Sequence, residues 1–263
     1  MAHAPLISAS VALHLAAAAA LIARPRIWPW ALSAVLADHL LLAAAGLWPR
    51  SRLLGPNWTR LPAASAAQGG VAITIDDGPD AQVTPRVLAV LERHRARATF
   101  FCIGERVRRH ATLAREIIAR GHSIENHSQR HLRYFSLLGP AAIAAEICAA
   151  QDSIAEITGT RPGFFRAPAG LRNPFLEPVL GRLQLHLASW TRRGFDTVSG
   201  DADAVFGRLV RPLRGGDILL LHDGNAARNR GGEAVILDVL PRLLGAVDAA
   251  GLTPVTLRQA AGA

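Results

Sequence analysis

What most constrains this chain is a rhythm that begins near residue 71. Seven short apolar runs, at 71–75, 98–103, 123–126, 163–165, 185–190, 217–221 and 254–257, alternate with stretches of helical periodicity. The helical stretches fall at 84–94, 106–120, 140–158, 174–183 and 233–250. Strand then helix, repeated along the chain, implies parallel strands joined by right-handed crossovers. Over residues 71–260 this pattern fits a closed or nearly closed (β/α) barrel of about seven parallel strands better than an open doubly wound sheet. No segment recurs at a fixed period, which excludes a solenoid. The fold class is therefore read as α/β.

The first fifty residues follow another rule. Residues 6–23 are apolar except for His14 and small hydroxyls, Arg24-Pro25-Arg26 interrupts them, and residues 27–48 are apolar again apart from Asp38 and His39. Each stretch is close to the roughly 20 residues that cross a bilayer as a helix. A cleaved signal peptide fits less well, because Met1 to Pro5 holds no Lys or Arg and a second apolar stretch follows directly. The expectation is a transmembrane helical hairpin at 1–50, a linker rich in Pro, Ala, Ser and Gly at 51–70, and a catalytic domain at 71–260. Trp28, Trp30 and Trp48 stand at the ends of the second segment, where interfacial indoles are favoured. Arg24 and Arg26 on one side balance Arg50, Arg52 and Arg60 on the other, so charge leaves the membrane side open. Counted from the turn, His14 and Asp38 lie at similar depth, and an ionisable group at that depth needs a partner. We expect them to hydrogen-bond to each other as a pin between helices rather than as a proton relay.

The formal net charge is +9, which raises the question of nucleic acid. All 29 basic residues are Arg, and no basic strand interleaved with aromatics accompanies them. A nucleic-acid partner is not expected. The absence of Lys excludes a Schiff-base lysine and a phosphate-loop lysine. Cys102 and Cys148 are too few for a disulfide framework or a cysteine zinc site, and read as buried thiols.

Polar residues recur at one place in the rhythm. Asp76-Asp77 follow the run 71–75, His127 follows 123–126 and Arg166 follows 163–165. Asp196 comes shortly after 185–190, and His222-Asp223 follow 217–221. The ends of several strands thus carry polar groups on one face, which in (β/α) barrels is the catalytic face. His127 and His131 are four apart, one helical turn, so both can face one ion. With a carboxylate they make a two-His, one-carboxylate set that leaves positions open for water and substrate. Such a set suits zinc, iron, cobalt or manganese. Alone, the histidines would read as a helix cap or an exposed pair, and the aspartates as a turn before Gly78-Pro79. On one barrel face they read as a metal site, with one aspartate on the metal and the other free to act as a base.

These segments resemble the motifs of the polysaccharide deacetylase family, the NodB-homology domain of carbohydrate esterase family four. Thr74-Ile75-Asp76-Asp77-Gly78-Pro79-Asp80 is similar to its first motif, and Asn126-His127-Ser128-Gln129-Arg130-His131 to its second. Phe165-Arg166-Ala167-Pro168-Ala169-Gly170 is similar to the third, the segment Trp190 to Asp196 to the fourth, and Leu219-Leu220-Leu221-His222-Asp223 to the fifth. The resemblance implies a distorted (β/α) barrel that removes N-acetyl groups, or in some relatives formyl groups, from amino sugars. It implies Asp77, His127 and His131 as ligands of one divalent metal ion, zinc first and cobalt, manganese, nickel or iron otherwise. It makes Asp76 the base, His222 the acid, and the backbone N–H of Ala169 the oxyanion donor. Asp196 would then hold His222 protonated, Arg166 would orient Asp76, and Asp223 would be structural.

Four positions depart from the family pattern: Ile75 for Phe, Glu125 for Gly, Ala167 for Pro and Ala169 for Tyr. Losing the tyrosine ring opens the pocket while keeping the backbone donor. By strand alternation Glu125 points away from Asn126 and supports rather than catalyses. With the hairpin, the implied substrate is an amino-sugar glycan or a lipid-linked saccharide at the inner membrane, on the extracytoplasmic side by family resemblance. The competing reading is a catalytically inactive, membrane-anchored carbohydrate-binding or scaffold protein.

Overall fold

The structure is a computed structural model, and it describes residues 4–262. Helices α1 (Pro5–Ala23) and α2 (Trp28–Leu47) form an antiparallel pair joined by a 3-10 turn at Pro25–Ile27. Both are long and apolar enough to cross a membrane, and little of either is buried by the rest of the protein. The pin between them differs in detail from expectation. Asp38 accepts from the Ser10 hydroxyl at 2.6 Å, and His14 Nδ1 turns to the Ser10 carbonyl at 2.8 Å. His14 and Asp38 stand 3.9 Å apart. The serine, one turn before the histidine, reaches the carboxylate first.

The short helix α3 (Ala63–Ala67) then leads into β1 (Gly70–Asp76), every residue of which is buried. There follow α4 (Thr84–Arg93), β2 (Ala98–Cys102), α5 (Gly104–Arg109), α6 (Ala111–Ala119), β3 (Ser123–Asn126) and α7 (Pro140–Thr158). The chain continues through β4 (Phe164–Phe165), α8 (Leu176–Leu183), β5 (His186–Leu187), β6 (Arg192–Arg193) and α9 (Ala202–Leu209). It ends with β7 (Ile218–His222), α10 (Ile236–Ala249), β8 (Thr253–Pro254) and α11 (Leu257–Ala261). Seven parallel strands run in the order β5-β4-β3-β2-β1-β7-β6, with β8 added beside the start of β1. Strands β5 and β6 occupy opposite edges, yet only residues 188–191 separate them. That short crossing curls the sheet into a half-barrel. Thr191 N–H donates to the Ile218 carbonyl on one edge, and Ala188 N–H to Phe165 on the other.

Alternation along β1 sorts the two faces. Val71, Ile73 and Ile75 pack outward against α4 and α10, in the cluster that also holds Leu88 and Leu240. Ala72 faces inward with Phe101, Leu220 and Trp190, so Thr74 and Asp76 share the barrel interior with it. Segment 51–70 is fastened along the barrel rather than hanging free. Trp58 pairs with Ala188 at the closure, and Leu54 and Leu61 are buried. The helix expected at 106–120 breaks at His110 into α5 and α6. Cys102 is buried as expected, whereas Cys148 is only partly so.

Candidate active site

Parallel register brings the strand ends level. Asp76 lies opposite His222 on β7 and Phe101 on β2, and Asn126 lies opposite Cys102 and Phe165. One residue further along each strand come Asp77, His127 and Arg166. All three are buried, and one cavity of about 210 Å³ is lined by Asp76, Asp77, His127, His131, Ala169 and His222 together.

Asp77 Oδ1 stands 3.2 Å from His127 Nε2 and 3.2 Å from His131 Nε2. His127 Nδ1 lies 2.8 Å from the Arg166 carbonyl, which can only accept, so Nδ1 carries a proton and Nε2 is the ring atom that faces Asp77. Asp77 Oδ1 is buried with no hydrogen-bond partner among the described residues. Burial alone would raise its pKa, but the flanking histidines outweigh burial and hold the carboxyl well below the usual carboxylate range. Burial, with His127 beside it, pushes the His131 imidazole down toward its neutral form. Ligand atoms from these three residues lie within 4.8 Å of one another. Inward-facing acceptors with an orphaned carboxylate oxygen are what a cation binds. The donor set fits a divalent metal ion.

The backbone that presents these groups is unusual. Asp77, Ser128, His131 and Ala169 have φ of 73°, 62°, 54° and 55°, four of the seven non-glycine residues with positive φ among those described. Each such residue costs on the order of 1–2 kcal/mol, and strain of this kind gathers where function fixes geometry. His127 and His131 therefore sit in a loop, not on a helical turn. Their spacing is set by the Asn126 side chain, which accepts from Ser128 N–H at 2.9 Å, and by the Ser128 hydroxyl, which accepts from His131 N–H at 3.0 Å.

Two ion pairs flank the metal-type set. Arg166 donates to Asp76 Oδ1 at 2.6 Å and Thr74 Oγ1 at 2.8 Å, and to the carbonyls of Ala188 and Ser189. Its guanidinium lies 4.1 Å from the Phe101 ring centre, wholly buried. The free oxygen of Asp76, Oδ2, is 3.9 Å from His127 Nε2. On the other side His222 Nδ1 is 2.8 Å from Asp196 Oδ1, and Asp196 Oδ2 accepts the His222 N–H at 2.7 Å. Burial alone would lower the His222 pKa, but the bond to Asp196 outweighs it and holds the imidazole above its ordinary value. Arg166 and Asp196 stand behind the cavity wall, each through its partner. Asp223 accepts from Thr84 Oγ1. A Cβ on Gly78 would lie 2.6 Å from its oxygens, so that turn needs glycine. Glu125 accepts from Gly163 and Phe164 N–H and from Arg258, away from the cavity.

Some lining residues carried no sequence expectation. Asn225 Nδ2 donates to Asp77 Oδ2 at 2.8 Å, and Arg106 donates to the Asp77 and Gly224 carbonyls. Trp190 and Arg193 also face the cavity. Trp190 and Arg193 lie in the fourth motif segment and Asn225 three residues past His222, the signals the sequence offered for them.

Fold and site together define a hydrolase that takes acyl groups from carbohydrate amines. The polysaccharide deacetylase model matches residues 63–188. A peptidoglycan-N-acetylglucosamine deacetylase of Bacillus cereus is 35% identical over 175 residues, covering 66% of this chain and 81% of that protein. A chitooligosaccharide deacetylase of Azorhizobium caulinodans is 32% identical, covering 70% and 90%. A family 4 carbohydrate esterase from Streptomyces lividans, solved with acetate, superposes with a TM-score of 0.64 at 30% identity, covering 71% and 91%. The chain belongs to the polysaccharide deacetylase family.

Proposed function

We propose that this protein is a membrane-anchored, metal-dependent hydrolase that removes N-acetyl or N-formyl groups from an amino sugar of a glycan or lipid-linked saccharide. The observation that carries the reading is the meeting of Asp77, His127 and His131 between two ion pairs of opposite use, Asp76–Arg166 and Asp196–His222, in one cavity. Asp77, His127 and His131 would hold the cation. When bound, it supplies Lewis acidity, easing proton loss from water and polarising the acyl carbonyl.

The protein's own groups do the rest. Asp76 accepts the proton of the attacking water, and Arg166 keeps one of its oxygens occupied so that the other faces the reaction. Ala169 N–H donates to the oxygen that becomes negative as the carbonyl carbon turns tetrahedral. An amide nitrogen leaves poorly as an anion, so His222 gives it a proton as the C–N bond breaks, and Asp196 holds that imidazole in its charged form. The products are a free amine on the sugar and a carboxylate. The hairpin keeps the barrel at a bilayer surface, where the apolar faces of α1 and α2 are covered by lipid. Against the inactive-scaffold alternative stands the gathering of both candidate proton carriers and all three candidate ligands in one cavity.

The full chain, purified in detergent, should bind close to one cation at this site and release amine from N-acetylated amino-sugar oligomers. Chelation should abolish release and added zinc or cobalt should restore it. Release that survives complete metal removal would overturn the reading.

A further inference from the structure

Between the hairpin and the barrel lies a second cavity, a groove of about 590 Å³. One wall is helical, with Val11 from α1 and Leu42 and Leu47 from α2; the other is formed by Leu137 and by residues 171–175. Leu47, Leu137 and Phe175 are 66%, 82% and 50% exposed at its edges, a run of large apolar groups that water covers poorly. Ala169 and Gly170 line the catalytic cavity, and the next residues along the same loop line the groove, so the two spaces share a wall. Helix and loop meet closely there. Arg172 N–H donates to the Gly46 carbonyl at 3.2 Å, and a Cβ on Gly46 would fall 2.2 Å from the Arg172 carbonyl oxygen.

Arg172 is the one guanidinium in the groove's lining, which also includes His39 and Asn173. It is 5% exposed, its Nη2 donates to the Ser51 carbonyl, and its Nε has no hydrogen-bond partner among the described residues. Burial pushes its guanidinium down to about 10 although Glu177 lies nearby. A buried, incompletely paired guanidinium favours an anion, and phosphate suits its planar donors best. A hydrocarbon-lined groove beside such a cation, continuous with a catalytic cavity for a sugar, has the polarity sequence of a glycolipid: chain, phosphate, sugar.

We propose that the groove seats the hydrocarbon chain of a phosphate-linked lipid, that Arg172 attracts its phosphate, and that the amino sugar joined to that phosphate enters the cavity at Asp77. The inference rests on the deacylase reading and chooses, between its two substrate classes, the lipid-linked one. A polymeric glycan would leave the apolar walls and Arg172 without a partner. Bulk bilayer lipid would fill the groove but would not couple it to turnover.

The test uses the full chain in neutral detergent and two synthetic substrates. Both carry the same N-acetylated amino sugar on a phosphodiester, one ending in farnesyl and one in methyl. The farnesyl substrate should be turned over with kcat/KM at least tenfold higher, chiefly through KM. Leu137→Glu, at an exposed position that folding tolerates, and Ala43→Trp, which fills the groove, should each erase most of that ratio. In parallel, binding of farnesyl phosphate and farnesol is measured by native mass spectrometry, which needs no catalysis. Farnesyl phosphate should bind at least tenfold more tightly, and Leu137→Glu should weaken it. Equal kcat/KM for the two substrates, unchanged by either variant, would overturn the groove proposal and leave the deacylase reading standing. Farnesol binding as tightly as farnesyl phosphate would mean bulk lipid and also overturn it. Leu137-dependent binding of farnesyl phosphate with no amine released from any sugar would support the groove and sink the deacylase reading instead.

Discussion

Asp76 and Asp77 are adjacent, buried and chemically identical, so only their neighbours can separate their roles. Asp76 spends one oxygen on Arg166, while Asp77 points an unpartnered oxygen at two imidazoles. The same logic applies to His222, whose charged form rests on Asp196. In the proposed mechanism His222 is the acid and must be protonated to act, so activity should persist below its folded-state pKa and be lost as pH rises through it. Because Asp196 raises that pKa, Asp196→Asn should move the alkaline limb of the kcat/KM profile to lower pH as well as reduce kcat. An unmoved limb would show that another group sets it. The motif residues were legible because each is a rare chemical type at a strand end. Asn225 and Arg106, which hold Asp77 in place, were not, since an Asn or Arg in a loop looks like any solvated residue until the fold brings it to a carboxylate.

At the level of elements, β1, β2 and β7 were legible because burial on both faces leaves mostly apolar runs. The run at 185–190 holds β5 and the crossing that follows it, whereas β6, two arginines with no apolar residue, and the helix α9 carried no expectation. The loop carrying His127 and His131 was read as helical because spacing of four does not distinguish a helix from a loop bent by positive φ. One element contributes a pH effect away from the site. His122 accepts the Ala98 N–H, at the start of β2, on Nδ1 at 3.2 Å, which only a neutral imidazole can do. Burial, with Arg97 and Arg120 nearby, pushes it from 6.5 down to about 4. The unfolded chain therefore takes up the proton first, so this stability is intact above about 6.5, falls as pH drops toward 4, and levels off below. The loss is of the order of 3 kcal/mol at most, and His122→Gln, which can still accept, should flatten that part of the curve. Urea unfolding followed by tryptophan fluorescence between pH 7 and about 4 reads it; an unchanged slope in the variant would refute the assignment.

On the scale of the whole molecule, two apolar helices with little protein against them sit beside a barrel that α2 touches through Gly46, at Arg172, and that Pro49, just past α2, touches at Gly170. Their exposed apolar surface requires a cover, and the Arg-rich remainder offers a second route to anionic membranes. The two routes separate by salt. A chain held by its hairpin should stay in the membrane fraction through high-salt and alkaline washing. One held by arginines should be released by salt alone, because exposed charges are screened within about 8 Å at physiological ionic strength and within about 3 Å at 1 M. Fractionation of the full chain before and after each wash decides between them. The hairpin was legible in sequence from hydropathy alone. Its docking against the loop at 171–175 was not, because no pattern within either segment encodes a contact between them.

The central claim is that one carboxylate of the Asp76-Asp77 pair holds a metal ion and the other moves a proton. Metal content and amine release, measured together on Asp76→Asn and Asp77→Ala, test it most directly. Asp77→Ala should lose metal and activity together, with partial recovery in excess metal because His127 and His131 remain. Asp76→Asn should keep its metal and lose roughly 10²–10⁴-fold in turnover, unrescued by excess metal, as expected for removal of a general base. Asp76→Asn losing its metal, or keeping near-normal turnover, would contradict the account.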